Sequence, residues 1–356
     1  MKKILLVIPN DSLGGAEQIL KMIANHYTEA LVEVQFLKRK SNDEWKTANQ
    51  SIKLKYQKTN SEYWGALNYA WYLLVKPQKK YDLIFTSHVF VTGLVGLFIR
   101  LGLLQKNHFV GRESTRIFER FKGIKLILYK KMYQLGYPSL DLLICQTQEM
   151  KRNLIANLPW IDKQINIKVI GNPINLNSIK STEDAVADFP FIVGAGRLIV
   201  EKGFDILIEA FKEILKIHPT YQLIILGEGK EKQNLECQIK KLDLENKVIL
   251  KGQVSNVYAY FKIAKVCVVS SRIEGFPNVL LQMMSQNNCV VSTKCTAEIE
   301  TIPGIEIANT EDSKSLSNTI LQSVKEDHSK NQILFKSFLD EKSIENFITS
   351  IEKELQ

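Results

Sequence analysis

Ser270-Ser271-Arg272-Ile273-Glu274-Gly275-Phe276-Pro277-Asn278-Val279-Leu280-Leu281-Gln282 compresses a strand end, an acidic loop, a glycine and a helix start into one short stretch. The preceding Val266-Cys267-Val268-Val269 is an apolar, β-branched run that suits a buried parallel strand. Pro277 stands where a first helical position tolerates a missing N–H. The junction therefore predicts a helix N-terminus facing the carboxyl end of a parallel strand. Free amides and the positive dipole end attract anions there, Gly275 lets the backbone approach closely, and Glu274 offers a carboxylate to hydroxyls. An anion and a polyol, the two halves of a sugar phosphate, would be held side by side.

Outward from this junction the same alternation runs through the chain. Ile4–Ile8, Val32–Leu37 and Leu83–Thr86 read as strands, and about Gly15–Tyr27 and Val89–Leu104 as helices. The second half repeats the theme with strands at Phe191–Val193, Leu223–Leu226, Val248–Leu250, Val266–Val269 and Val290–Ser292. Between them Leu207, Phe211, Ile214 and Leu215 form the stripe of an amphipathic helix. Strands alternating with helices predict an α/β protein of two Rossmann-like, doubly wound parallel-sheet domains. The polar segment from Asn175 to Asp188 after Gly171-Asn172-Pro173 marks the boundary, giving a first domain over 1–175 and a second over 189–340. The remaining 341–356 carry a helix at about Ser343–Leu355 that pattern alone assigns to neither, a return to the first domain being one alternative.

Size and composition fit this reading: 356 residues with 45% hydrophobic content can build two packed cores. Met1-Lys2-Lys3 precedes an apolar run too short for an export signal, and Val89–Leu104 is broken by Arg100 and too short to span a bilayer. The cysteines at 145, 237, 267, 289 and 295 show no CxxC spacing, so neither a disulfide framework nor a zinc site is expected and a reducing cytoplasm is. The formal charge of +9 is uneven. Residues 1–180 hold 27 Lys and Arg against 13 Asp and Glu, and the rest 20 against 25. The basic residues cluster with apolar ones between Arg112 and Arg152, where an amphipathic helix would suit an anionic membrane face, a core helix with a solvated lysine side being the alternative. No nucleic-acid-binding signature accompanies the charge, so no nucleic-acid partner is expected.

Two further constellations carry chemistry. Gly194-Ala195-Gly196-Arg197-Leu198 closes the first strand of the second domain and Glu201-Lys202-Gly203 follows, so Arg197 and Lys202 can share one diphosphate, although Lys202 could instead form a surface ion pair with Glu201. In the first domain Leu13-Gly14-Gly15-Ala16-Glu17 follows the first strand and lets backbone amides reach an anion. Neither is GxGxxG, and the nicotinamide pattern is unsupported.

Taken together, Gly-x-Gly-Arg-Leu at 194–198, Glu-Lys-Gly at 201–203, Leu-Gly-x-Gly at 226–229, Gly252 with Asn256-Val257, and Ser-Ser-x-x-Glu-Gly-Phe-Pro-Asn-Val-Leu-Leu at 270–281 resemble the family 4 (group 1) glycosyltransferases of GT-B fold. The Gly14 loop and Asn172-Pro173 extend the resemblance over nearly the whole chain. It implies two Rossmann-like domains facing a central cleft. It also implies retaining, metal-independent transfer from a nucleotide sugar, with the donor on the second domain, the acceptor on the first and no cofactor. Arg197, Lys202 and Glu274 are then the catalytic candidates, the two cations neutralising the diphosphate and Glu274 holding donor-sugar hydroxyls as the first acid of an E-x7-E pattern. The resemblance implies that Gly14, Gly15, Gly196, Gly252, Gly275, Phe276, Pro277, Asn278 and Val279 would line the donor. Gln282 replaces the second acid, an amide where a ribose-binding carboxylate stands in the pattern. His88, Arg112 and Glu113, at strand ends of the first domain, are the acceptor-side candidates. The implied reaction moves a hexose or N-acetylhexosamine from a UDP-sugar, before a GDP-sugar, to a saccharide acceptor carried on polyprenyl diphosphate. Its setting would be capsule, O-antigen or exopolysaccharide assembly on the cytoplasmic face of the membrane. A nucleotide-sugar epimerase of the same fold and a non-catalytic donor-binding subunit are the alternatives.

Overall fold

The apolar runs form strands and the amphipathic periods helices in a computed structural model that describes residues 1–41, 43, 45, 52–76, 80–176 and 188–356. The chain divides into two units, 1–173 with 344–356, and 174–343. Most of the polar segment expected to link them, 177–187, lies outside the described residues.

The first unit runs β1 (Lys3–Ile8), α1 (Gly15–His26), β2 (Leu31–Phe36), β3 (Ile52–Tyr56), α2 (Glu62–Val75), β4 (Lys80–Thr86), α3 (Val89–Arg100), β5 (Gln105–Arg112), α4 (Ile117–Arg120), α5 (Gly123–Gly136), β6 (Leu142–Cys145), α6 (Gln148–Asn157), α7 (Ile161–Gln164) and β7 (Ile167–Val169). Its strands pair in parallel in the order β3-β2-β1-β4-β5-β6-β7. Alternate residues of β1 enter opposite cores, Leu5 and Val7 under α2, α3, α5 and α6, and Ile4, Leu6 and Ile8 under α1. The apolar stretch expected to be helical to Leu104 ends its helix at Arg100, because Gly102 takes a left-handed φ of 71° and β5 begins at Gln105.

The second unit runs β8 (Phe191–Ala195), α8 (Phe204–Leu215), β9 (Gln222–Leu226), α9 (Lys232–Lys241), β10 (Val248–Gly252), α10 (Val257–Ile263), β11 (Val266–Val269), α11 (Asn278–Met284), β12 (Val290–Thr293), β13 (Glu306–Ala308), α12 (Ser313–Ser323) and α13 (Asn331–Asp340). The parallel order is β10-β9-β8-β11-β12-β13, the same doubly wound pattern. Val266 and Val268 face one core, Cys267 and Val269 the other. Pro277 caps α11 from one position before its first helical residue rather than occupying that residue. After the second unit α14 (Ile344–Glu354) packs Phe347, Ile348 and Ile351 into the α1 side of the first. None of the helices among the described residues is long and apolar enough to cross a membrane.

Candidate functional site

In each sheet the strand order reverses beside the first strand, so the loops after that strand and after its neighbour diverge and leave a crevice at the strands' carboxyl ends. In the second unit those loops follow β8 and β11. The β8 loop makes one 3-10 turn, Val200–Lys202, and enters α8 through Gly203 at φ 61°. A Cβ on Gly203 would lie 2.1 Å from the Ser270 carbonyl oxygen, so only glycine brings the two loops this close. The loops are then sewn together, with Ser270 Oγ donating to the Lys202 carbonyl at 2.9 Å and the Arg272 N–H to the Glu201 carbonyl at 2.8 Å.

This sewing puts the Lys202 ammonium on Glu274 Oε1, in an ion pair whose side chains stay 18% and 17% exposed. Ser271 Oγ donates to the same carboxylate oxygen at 2.9 Å. Lys202 therefore reaches across to Glu274 on the other loop, where the sequence left Glu201 open as a partner. Arg197 is exposed on the same loop, and Gly196 beside it lies against the Lys202 methylenes, where a Cβ would come 3.5 Å from Cδ and Cε. Gly252 joins this layer at the next strand end, its carbonyl accepting the Gly227 N–H at 2.8 Å, while the Gly196 N–H donates to the Leu226 carbonyl at 2.9 Å.

Gly275, Phe276, Pro277, Asn278 and Val279 carry the chain from Glu274 into α11, with Pro277 buried and Phe276 and Val279 packed on the core. Gln282, one turn along α11 from Asn278, donates from Nε2 to the Tyr258 hydroxyl at 3.4 Å. Burial, then the Glu274 charge, push the nearby Cys295 thiol up to about 12, which keeps it protonated and unreactive.

One residue of the quoted stretch had no assigned role in the sequence and has one here. Arg272 grips Asp205, at the start of α8, with both Nη atoms at 2.7 and 2.6 Å, and adds Glu311 at 2.7 Å through Nε. Burial opposes ionisation of Asp205, but the guanidinium outweighs it and holds the carboxyl below its usual range. Arg272 thus fixes the loop that carries Glu274 to the helix that follows Lys202.

The first unit repeats the arrangement at its own reversal, between β1 and β4. Glu17, in the first turn of α1, accepts from His88 Nε2 at 2.8 Å, and His88 holds the N-cap position of α3, two residues after β4. Gly14 lies beside it, where a Cβ would stand 2.6 Å from Glu17 Oε2 and the carboxylate would have to shift. Gly15 opens α1. Glu17 was visible only as part of the glycine motif, and its pairing with His88 needs the sheet order.

Arg112 and Glu113 lie deeper than strand-end positions suggest, at 4% and 2% exposure. Arg112 donates to Ser87 Oγ at 3.0 Å and to Asn172 Oδ1, and its Nε finds no hydrogen-bond partner among the described residues. Burial lowers its pKa to about 10 against the pull of Glu17 and Glu113. Glu113 accepts the Tyr133 and Tyr137 hydroxyls at 2.9 and 2.7 Å, while burial raises it to about 7. Gln146 closes the network, donating to the Glu113 carbonyl and accepting from Asn172 Nδ2 at 3.0 Å. Of the three acceptor-side candidates, His88 is the one with a partly exposed side chain, and Arg112 and Glu113 are buried in a polar network that reaches Ser87, the residue before it.

Comparison with known proteins agrees on both halves. The family model for glycosyl transferases group 1 matches residues 177–334, and that for Glycosyltransferase Family 4 matches 13–178. An uncharacterized glycosyltransferase of Haemophilus influenzae is 26% identical over 84% of this chain and 83% of its own length. The N-acetylgalactosamine-N,N'-diacetylbacillosaminyl-diphospho-undecaprenol 4-alpha-N-acetylgalactosaminyltransferase of Campylobacter jejuni is 33% identical over 47% of this chain. The match spans 45% of that relative, so the chain covers less than half the length of some curated relatives. Among solved structures, Anabaena HepE in complex with UDP-glucose superposes with a TM-score of 0.81 at 19% identity, over 100% of this chain and 99% of that one.

Proposed function

The chain belongs to the group 1 and family 4 glycosyltransferases and has the GT-B fold, and from that premise we propose that it is a retaining, metal-independent sugar transferase. The donor is a nucleotide sugar, UDP-linked before GDP-linked, taken by the second unit. The acceptor is a saccharide on polyprenyl diphosphate, taken by the first, in surface polysaccharide assembly on the cytoplasmic face of an anionic membrane. One observation carries the reading: the Lys202–Glu274 pair over the sheet reversal of the second unit, with Arg197 on the same loop. An ammonium and a carboxylate held side by side suit a ligand that brings phosphate charge and hydroxyls together. The likeness to a transferase named for a diphospho-undecaprenol acceptor supports the lipid carrier, and the fold shared with HepE, crystallised with UDP-glucose, supports the uridine donor.

In this reading the bond from the donor's anomeric carbon to the diphosphate breaks as an acceptor hydroxyl adds from the same face. Its proton passes to the departing phosphate oxygen, so no protein base is required. Lys202 and Arg197 offset the charge growing on the leaving group, Glu274 orients the sugar hydroxyls, and Arg272 keeps Glu274 in register. Gln282 holds the nucleoside side through its amide. His88 and Glu17 receive the acceptor.

A thermal-shift screen with UDP, GDP and their sugars should raise the melting temperature with the uridine series first, because a ligand of the native state stabilises it. Lys202→Ala and Glu274→Ala should each lower transfer by about 100-fold or more while leaving the ligand-free melting temperature near that of the parent. Near-parental transfer in either variant would remove the site assignment.

A further inference from the structure

Helix α2 turns an uncovered aromatic face outward. Trp64, Leu67, Trp71 and Leu74 recur at i, i+3, i+7 and i+10, and each is at least 60% exposed. The opposite face is locked inward by Tyr69 and Leu73, and by Gly65, where a Cβ would fall 1.6 Å from the Leu37 carbonyl oxygen. The tryptophans therefore cannot roll into the core.

Helix α5, in the layer over the same sheet face, does likewise. Ile124, Ile127 and Leu128 are each more than half exposed, with Lys131 among them and Lys122 and Lys125 at the flank. Helix α3 lies between the two, touching α2 through the Phe90 and Tyr63 rings at 5.2 Å and α5 through Gly93, Gly96 and Gly136. The sequence of α5 holds no acid. The nearest acids along the chain, Glu62 and Glu119, are paired with Lys38 and Arg116 at 3.0 and 2.6 Å.

We infer that α2 and α5 together form a membrane-docking surface, in which the Trp64–Trp71 face of α2 enters the headgroup and acyl boundary of an anionic bilayer and the lysines of α5 meet its phosphates. The inference rests on the membrane-surface reading above and adds an apolar anchor that the charge pattern did not contain. Two observations favour lipid over a second copy of this chain or another protein. Tryptophan with leucine on one helical face, with the lysines of α5 in the same layer and no acid in α5, is the composition that partitions into an anionic interface. Lys131 stands inside the apolar stripe of α5, where a dry protein interface would bury its charge unpaired but a bilayer lets the side chain reach the headgroups.

The test is co-sedimentation of the full chain with vesicles of phosphatidylcholine alone or with equal phosphatidylglycerol, together with tryptophan quenching by brominated lipid. The chain should bind the anionic vesicles and be quenched, and a Trp64→Gln/Trp71→Gln variant should lose about tenfold or more in partitioning. Lys122→Gln/Lys125→Gln/Lys131→Gln should abolish the preference for phosphatidylglycerol and leave a salt-resistant residue of binding. All these positions are exposed, and unchanged circular dichroism and nucleotide response would show the fold and the donor site intact. Parental binding by the double tryptophan variant overturns the α2 anchor while leaving the membrane reading standing. No binding of the parent to either vesicle overturns both. A dimer that dissociates on Trp64→Gln/Trp71→Gln, without vesicle binding, assigns the surface to a second copy instead.

Discussion

Glu113 is a carboxyl group that its surroundings pull in two directions. Burial pushes its pKa up from 4.5 to about 7, while the Tyr137 and Tyr133 hydroxyls and the Arg112 charge pull it down without cancelling that. The folded chain thus holds the proton more tightly than the unfolded one. The stabilisation is fully present below the unfolded value of 4.5 and is lost as pH rises through about 7. Glu113→Gln keeps the shape and removes the titration. The melting temperature of the parent relative to this variant should therefore be higher at about pH 5 than at about pH 8. Equal differences at both would show the carboxyl ionised throughout. Glu113 also marks where sequence reading stops. Lys202 and Glu274 were legible as candidates because each sits in a dense local motif after an apolar strand, and the fold brings them together. The depth of Arg112 and Glu113 was not, because it comes from Tyr133, Tyr137, Gln146 and Asn172, whose convergence depends on four separate elements.

At the scale of elements, strands buried on both faces, such as Ile4–Ile8 and Val266–Val269, were readily read, since an apolar run needs no partner to announce itself. Apart from β10, the edge strands left little trace. β3 alternates lysine with apolar residues, and β7 and β13 are three residues long, so each becomes a strand only through its neighbour's backbone. Helix contacts made by glycine were equally silent. Gly136 meets α3 so closely that a Cβ would sit 1.9 Å from the Gly93 carbonyl oxygen, and Gly96 meets Gly136 in the same way at 2.0 Å. The obstacle is backbone on both sides and cannot swing away. Gly136→Ala should force α3 and α5 apart and destabilise the first unit by about 3 kcal/mol. Chemical denaturation checks this, and a loss near that of an exposed glycine would mean the two helices are not in backbone contact.

At the scale of the whole chain, the path is an insertion. The backbone enters the second unit at Ile174 and leaves at Lys342 and Ser343, and the two crossings are joined by the Ile174 N–H donating to the Lys342 carbonyl at 2.8 Å. The second unit, continuous from 174 to 343, thus has adjoining ends. The first unit is built from two distant pieces and needs both. Ile344, Phe347, Ile348 and Ile351 of α14 are buried on the α1 side, and Glu352 ties the helix to Lys2 at 2.8 Å. Four buried apolar side chains at about 1.5–3 kcal/mol each amount to a domain's typical stability. A chain ending at Ser343 should therefore lose the protease resistance of residues 1–173 while 174–343 stays resistant. The nucleotide selected by the thermal-shift screen should still bind, since Lys202 and Glu274 both belong to the second unit. Limited proteolysis with and without that nucleotide reads both parts at once. A shortened chain as resistant throughout as the parent would mean that α14 contributes little to its unit. Loss of nucleotide binding alongside loss of the first unit would mean that the second does not hold the donor by itself.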